Sequence, residues 1–191
     1  MRVTSLYLAR IFYFLLLLTL FLSSCGAKKK TVLSNPRDKN YGNVYANEEK
    51  HKGNVVSYYA DYLGVKEKDL NTKLYVFIDQ WMGSPHQLGG TTRSGIDCSA
   101  FVGMAYNTVY GKDLPRTSRD MAEVVKRKYD HQLKEGDLVF FSFGGKAIDH
   151  VGIYLQNDMF VHVSTKKGVM ISNLKETWFY KYFTRCGTPI L

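Results

Sequence analysis

The order of residue patterns along the chain predicts an α+β fold built on an antiparallel sheet. Two observations carry this reading. Up to about Val125, apolar residues recur every three or four positions, the period of helices lying on a core. Beyond Gly136-Asp137 the texture changes to short apolar runs parted by polar turns, which is how consecutive strands read. Helices first and strands after, without alternation, set the pattern apart from a parallel α/β sheet.

Val55, Tyr58, Tyr59 and Tyr62 predict a first helix. Leu70, Leu74, Phe77, Ile78 and Trp81 predict a second, stopped by Gly83-Ser84-Pro85. Gly89-Gly90 and Gly95 punctuate a loop. From Cys98, the apolar Phe101, Val102, Ala105 and Val109 form one face of a helix running to Gly111. Thr117 or Ser118 caps another helix, expected to carry Met121, Val124 and Val125. Leu138-Val139-Phe140-Phe141 reads as a buried strand, followed by strands over 150–155, 159–163 and 169–172. Their turns are Gln156-Asn157-Asp158 and Lys166-Lys167-Gly168, and a closing strand covers about 182–186. The sequence shows no internal repeat.

The N-terminus bears on where the protein works. Arg2 and Arg10 give a positive start, and the chain from Ile11 to Leu22 is apolar except at Thr19. A spanning helix needs roughly 20 apolar residues, so this shorter run reads as the apolar region of a signal peptide. Leu22-Ser23-Ser24-Cys25 resembles the bacterial lipobox, whose cysteine is diacylated and becomes the first mature residue; an ordinary cleaved signal or a short anchor is the alternative. Residues 1–24 are therefore expected to be a lipoprotein signal peptide and 25–52 a polar tether carrying Lys28-Lys29-Lys30. Residues 53–191 are expected to form a single domain. The expected location is the bacterial cell envelope, lipid-anchored, on the periplasmic side of the outer membrane in a Gram-negative cell. Losing Arg2 and Arg10 would take the formal charge from +9 to +7 (9 − 2). A basic surface of that kind favours lipid headgroups or carboxylate-rich wall peptides. Nucleic acid is not expected as a partner, because no arginine–aromatic cluster is present and an exported lipoprotein would seldom meet it.

With Cys25 assigned to the lipid, Cys98 and Cys186 remain. They could form a disulfide, but that would silence a reactive thiol, and their contexts differ enough to expect them unpaired. Cys98 opens a helix after Gly95-Ile96-Asp97, where the helix dipole and a nearby imidazolium lower a thiol pKa. His150 opens one strand, and His162 lies on the next, where hairpin pairing would bring the rings together. Nucleophile, base and orienting residue then form a triad. The same three residue types also ligate zinc, but no C-x-x-C or H-x-x-x-H pair occurs, so neither metal nor cofactor is expected.

The local wording narrows this further. Gly89-Gly90, Asp97-Cys98-Ser99-Ala100-Phe101, Leu114-Pro115-Arg116-Thr117-Ser118, Gly136-Asp137-Leu138-Val139-Phe140-Phe141, His150-Val151-Gly152-Ile153-Tyr154 and Phe160-Val161-His162 follow in that order. Together they resemble the NlpC-type family of bacterial cell-wall cysteine peptidases, above all its small single-domain lipoprotein murein endopeptidases. The resemblance implies a minimal papain-like fold, with N-terminal helices on a sheet of about five to six strands. It also implies Cys98 as nucleophile, His150 as base and His162 as the residue orienting it. His86, Asp97, Ser99 and Arg116 become candidates for the oxyanion or the substrate. Ala100 stands where the family commonly has glycine, and His86 where it usually has a tyrosine whose hydroxyl reaches the thiol. The implied function is hydrolysis of stem-peptide or cross-link amide bonds in peptidoglycan by a monomer. The alternatives are a catalytically silent wall-binding lipoprotein and a Cys-His amidase or acyltransferase acting elsewhere.

The anchor is directly testable. The mature protein should partition into membrane and carry the added mass of a diacylglyceryl group on Cys25. Cys25→Ser should appear in the soluble fraction or remain as precursor; unchanged membrane partition would assign anchoring to the apolar run itself.

Overall fold

The computed structural model describes residues 54–190, so the expected signal peptide, Cys25 and the expected tether lie outside the described residues. Helix α1 (Val55–Leu63) begins where the Asn54 side chain accepts the Val56 amide and ends at Gly64, whose φ of 67° suits a residue without Cβ. A single 3₁₀ turn (Glu67–Asp69) leads to α2 (Thr72–Trp81), capped by the Asn71 side chain on the amides of Lys73 and Leu74. The loop beyond α2 is more ordered than its glycines suggest, because β1 (Thr91–Thr92) and β2 (Gly95–Ile96) form a two-stranded ladder there. Helix α3 (Cys98–Tyr110) follows, closed by Gly111, and then α4 (Ser118–Glu123), capped by Thr117.

The second half folds into one six-stranded antiparallel sheet of order β3-β8-β4-β5-β6-β7. Its strands are β3 (Val125–Arg127), β4 (Leu138–Phe141), β5 (His150–Tyr154), β6 (Met159–Ser164), β7 (Gly168–Asn173) and β8 (Phe183–Pro189). The α+β class is as the sequence predicts, with three differences of detail. The helix expected to carry Met121, Val124 and Val125 ends at Glu123, with Val124 as its cap, and Val125 opens β3, which pairs with β8. The closing strand runs past Cys186 to Pro189, because β3 on one side and β4 on the other supply partners along its length. A short helix, α5 (Thr177–Tyr182), precedes it; six residues of Thr-Trp-Phe-Tyr-Lys-Tyr are too few to show a helical period and are strand-prone in composition.

Both faces of the sheet are covered. Helices α1–α3 bring Tyr59, Leu74, Ile78, Phe101 and Val102 into one core with Phe140, Val151, Ile153, Val161 and Ile171. The opposite face buries Val139, Phe141, Tyr154, Phe160, Leu174 and Cys186, with Phe143, Phe179 and Phe183 packed against them. Two-sided burial explains why β4 is an unbroken apolar run rather than an alternating one. Its entry is fixed by Asp137, a buried carboxylate that receives the Lys128 ammonium at 2.7 Å and the Lys134 amide at 2.7 Å. Cys186 is buried and donates its S–H to the Lys128 carbonyl at 3.2 Å, and both Cys98 and Cys186 are free thiols.

Register then decides which side chains meet. Gly152 on β5 sits opposite His162 on β6, and Phe160 opposite Ser172 on β7. Strand alternation therefore puts His150, His162 and Ser172 on one face, the one covered by α5. A Cβ on Gly152 would come within 2.8 Å of both the Phe160 ring and the Val161 carbonyl oxygen, and within 3.3 Å of His162 Cβ. Glycine here gives His162 room to lean toward His150. Gly152→Ala should therefore lower the urea-unfolding free energy by about 1–3 kcal/mol, the usual cost of overpacking. An unchanged or raised midpoint would mean that β5 and β6 can part to admit a methyl group.

Candidate active site

Cys98 is the first residue of α3, and the turn holding it is built from one carboxylate. Asp97 Oδ1 accepts the Ala100 amide at 2.7 Å and the Ser99 hydroxyl at 3.0 Å, while Oδ2 accepts the Gly89 amide at 3.0 Å. The Arg116 guanidinium spans both oxygens at 3.1 and 2.7 Å and donates to Ser99 Oγ at 2.8 Å. Burial alone would raise the Asp97 carboxyl, but Arg116, the Ala100 amide and Ser99 hold it below the usual carboxylate range. Asp97 and Ser99 are buried and face Arg116, whose outer edge stays exposed. These three candidates thus clamp the start of the helix, with their polar groups directed at one another.

The thiol differs from the expectation of a depressed pKa. Burial pushes Cys98 up to about 11; the Val151, Ser99 and Cys98 amides oppose this, while the Asp97 charge adds to it. Desolvation of the thiolate outweighs the helix start.

Two imidazoles form the other half. His150 Nε2 lies 2.9 Å from His162 Nδ1, and His162 Nε2 lies 3.0 Å from Ser172 Oγ, a chain crossing β5, β6 and β7. Phe141 and Phe143 flank the His150 ring; Phe160 and Phe179 flank His162. Burial drives His150 down to about 4, with Asp149 opposing and His86 assisting, and holds His162 well below the usual histidine value. Both rings are therefore neutral near pH 7. With Nε2 of His150 bonded to His162, Nδ1 is the ring nitrogen left for a reacting group. The amide of Val151, the next residue, lies near enough to the Cys98 sulfur to oppose its upward shift, which brings the thiol and the start of β5 into one site.

His86 belongs to the same site. Ile96 donates to the Pro85 carbonyl at 3.0 Å and accepts the Gln87 amide at 3.0 Å, so the 85–87 loop lies along the strand leading to Cys98. The sequence pattern alone does not single out Ser172. The available signal was a hydroxyl inside a strand that packs on both faces. Among the described residues, no three His, Cys, Asp or Glu side chains converge on a common point as a ligand set would. A thiol at a helix start, a neutral imidazole with one free nitrogen, and backbone amides beside the sulfur can together perform nucleophilic acyl transfer.

Some known proteins resemble this chain in sequence and others in fold. A Haemophilus influenzae protein named as a probable endopeptidase NlpC homolog is 39% identical over 107 residues, 56% of this chain and 56% of its own length. The murein DD-endopeptidase MepS/murein LD-carboxypeptidase of Escherichia coli is 38% identical over 119 residues, 62% of this chain and 63% of its own. The chain thus spans less than two thirds of the length of these relatives. The crystal structure of the NlpC/p60 domain of the peptidoglycan hydrolase SagA has the same fold, with a TM-score of 0.54 at 24% identity over 62% of this chain and 97% of that one. Residues 83–188, which include the Asp97 clamp, Cys98 and the whole imidazole chain, match the model of the NlpC/P60 family, and the chain belongs to that family.

Proposed function

We propose that this protein is a thiol-dependent murein peptide hydrolase, cleaving an amide bond in the stem peptides or cross-links of peptidoglycan. The observation that carries this is the neutral His150, bonded at Nε2 to His162, on the strand whose next amide, that of Val151, lies beside the Cys98 sulfur. The names of the relatives support the substrate, and MepS, named both a murein DD-endopeptidase and a murein LD-carboxypeptidase, is compatible with our reading that the cross-link bond between D-alanine and diaminopimelate is cut rather than the γ-D-glutamyl bond within a stem. The lipobox-like Leu22-Ser23-Ser24-Cys25 supports a lipid-anchored protein of the bacterial envelope, and the basic composition suits a carboxylate-rich polymer.

In the mechanism, His150 Nδ1 takes the thiol proton as Cys98 attacks the scissile carbonyl carbon. Negative charge moves to the carbonyl oxygen, where the Cys98 amide and a His86 N–H act as donors. The C–N bond then breaks, His150 passes its proton to the departing amine, and a thioester remains on Cys98. Water, deprotonated by His150, attacks the thioester, and the thiol leaves with that proton. The resting pair is uncharged, so proton transfer accompanies attack instead of preceding it. The buried imidazolium formed in transit keeps its Nε2–H bond to His162.

Mass spectrometry of defined muropeptides incubated with purified protein tests this. Cys98→Ala should abolish cleavage, and His150→Ala should be nearly as damaging, because the two act as a unit. Cleavage that survives Cys98→Ala would refute the thiol mechanism; tight muropeptide binding without cleavage by the wild type would favour the silent wall-binding reading. His86→Phe should lower kcat on the order of 10²-fold with little change in KM, and His86→Tyr should restore much of it.

The pH dependence has a definite sign. A base is competent when neutral, and His150, held down to about 4, stays neutral well below the ordinary histidine value of 6.5. The acid limb of kcat/KM should therefore fall below pH 6.5. Between about 4 and 6.5 the unfolded chain binds more protons than the folded one. Stability is thus fully present above that window and declines as pH falls through it. An acid limb centred at 6.5 or above would contradict a buried, neutral base.

A further inference from the structure

We propose that Ser172 is a positioning residue of this site, whose hydroxyl accepts the Nε2 proton of His162 and so fixes the direction of the whole imidazole chain. The proposal rests on the hydrolase reading and assigns to it a residue on a third strand.

Only one nitrogen of a neutral imidazole carries hydrogen, so two rings in series have two possible polarities. In the first, Ser172 Oγ accepts from His162 Nε2–H. His162 Nδ1 is then an acceptor, His150 donates to it through Nε2–H, and His150 Nδ1 presents a lone pair. In the second, the Ser172 hydroxyl donates to His162 Nε2. His162 Nδ1–H then donates to His150 Nε2, and His150 Nδ1 carries a hydrogen, which blocks it as a base. The 2.9 and 3.0 Å contacts accommodate either polarity. Proton transfer from Cys98 requires the first, and in it His150 can be protonated and deprotonated at Nδ1 without any other proton in the chain moving.

The surroundings of Ser172 tie its hydroxyl to this chain. Phe160 faces it from β6 and Leu174 lies two residues on along the same face, both in the apolar set, so a hydroxyl there is costly to bury unless it has a polar partner. That partner is His162, 3% exposed and walled by aromatic rings. An alanine at 172 would fit the apolar set but would leave the His162 N–H without an acceptor. The charged and titratable groups acting on the pair are Asp149 and His86 at His150, and His150 itself at His162. None of them lies at the Ser172 end, so that end is set by the hydroxyl.

Long-range ¹H–¹⁵N spectra of the histidine side chains in the purified protein at pH 7 test the assignment directly. The expected result is His162 protonated at Nε2 and bare at Nδ1, with His150 bare at Nδ1; His162 protonated at Nδ1 in the wild type would overturn the proposal whatever the enzyme does. Ser172→Ala should lower kcat on muropeptides about ten-fold with KM little changed, as expected for a lost orienting bond. The same variant should populate the reversed tautomers and move the acid limb of the pH profile, whereas Ser172→Thr, which keeps the hydroxyl, should restore all three readouts. A folded Ser172→Ala with wild-type kcat, pH profile and tautomers would also overturn it. If Ser172→Ala does not fold, the wild-type spectrum and Ser172→Thr still decide. Failure of the wild type to cleave muropeptides would count against the hydrolase reading and leave the spectra to judge the relay.

Discussion

Two neutral imidazoles buried in an aromatic pocket are the constraint around which the rest of this domain is arranged. A ring nitrogen enclosed by Phe141, Phe160 and Phe179 has no water to fall back on, so each must find a protein partner or carry the cost of an unmet hydrogen bond. The antiparallel register answers that need by setting His162 beside His150 on one side and Ser172 on the other, at 2.9 and 3.0 Å. Gly152 makes the closeness possible, since its place opposite His162 leaves no room for a methyl group. Helix α5 completes the enclosure with Phe179, and the same enclosure keeps both rings neutral.

The thiol half of the site follows a different logic. Cys98 sits at a helix start held by a carboxylate that caps the helix, grips the Gly89 loop and receives Arg116. Asp97 and Ser99 thereby serve placement of the Cys98 thiol, and Arg116 ties the segment before α4 to it. Desolvation leaves the thiol harder to ionise than its helix position alone would suggest. The Cys98 thiol and the His150 imidazole both rest uncharged, and the imidazole keeps one nitrogen outside the His150–His162–Ser172 chain.

The helix and strand spans were largely readable because their faces are long and periodic. The α3 pattern from Cys98 to Val109 and the runs of β4, β5 and β6 agree with the structure to within a residue or so. The elements that the sequence pattern does not reveal are short or depend on a distant partner. Val125–Arg127 becomes a strand because β8 lies beside it, and Thr177–Tyr182 becomes a helix because Phe179 has the histidine face to cover. Neither cue is present within a local window of sequence.

Residue types and their order were enough to determine the α+β class, the capped helix that begins at Cys98 and the hairpin that pairs two histidine-bearing strands. These are local matters of period, capping and turn chemistry. Only the tertiary structure decided the register that puts Ser172 at the end of the imidazole chain, the engagement of Arg116 with Asp97 and Ser99, and the upward shift of the Cys98 thiol. Each of these depends on groups far apart in the chain and on how completely water is excluded between them, quantities that exist only once the layers have closed.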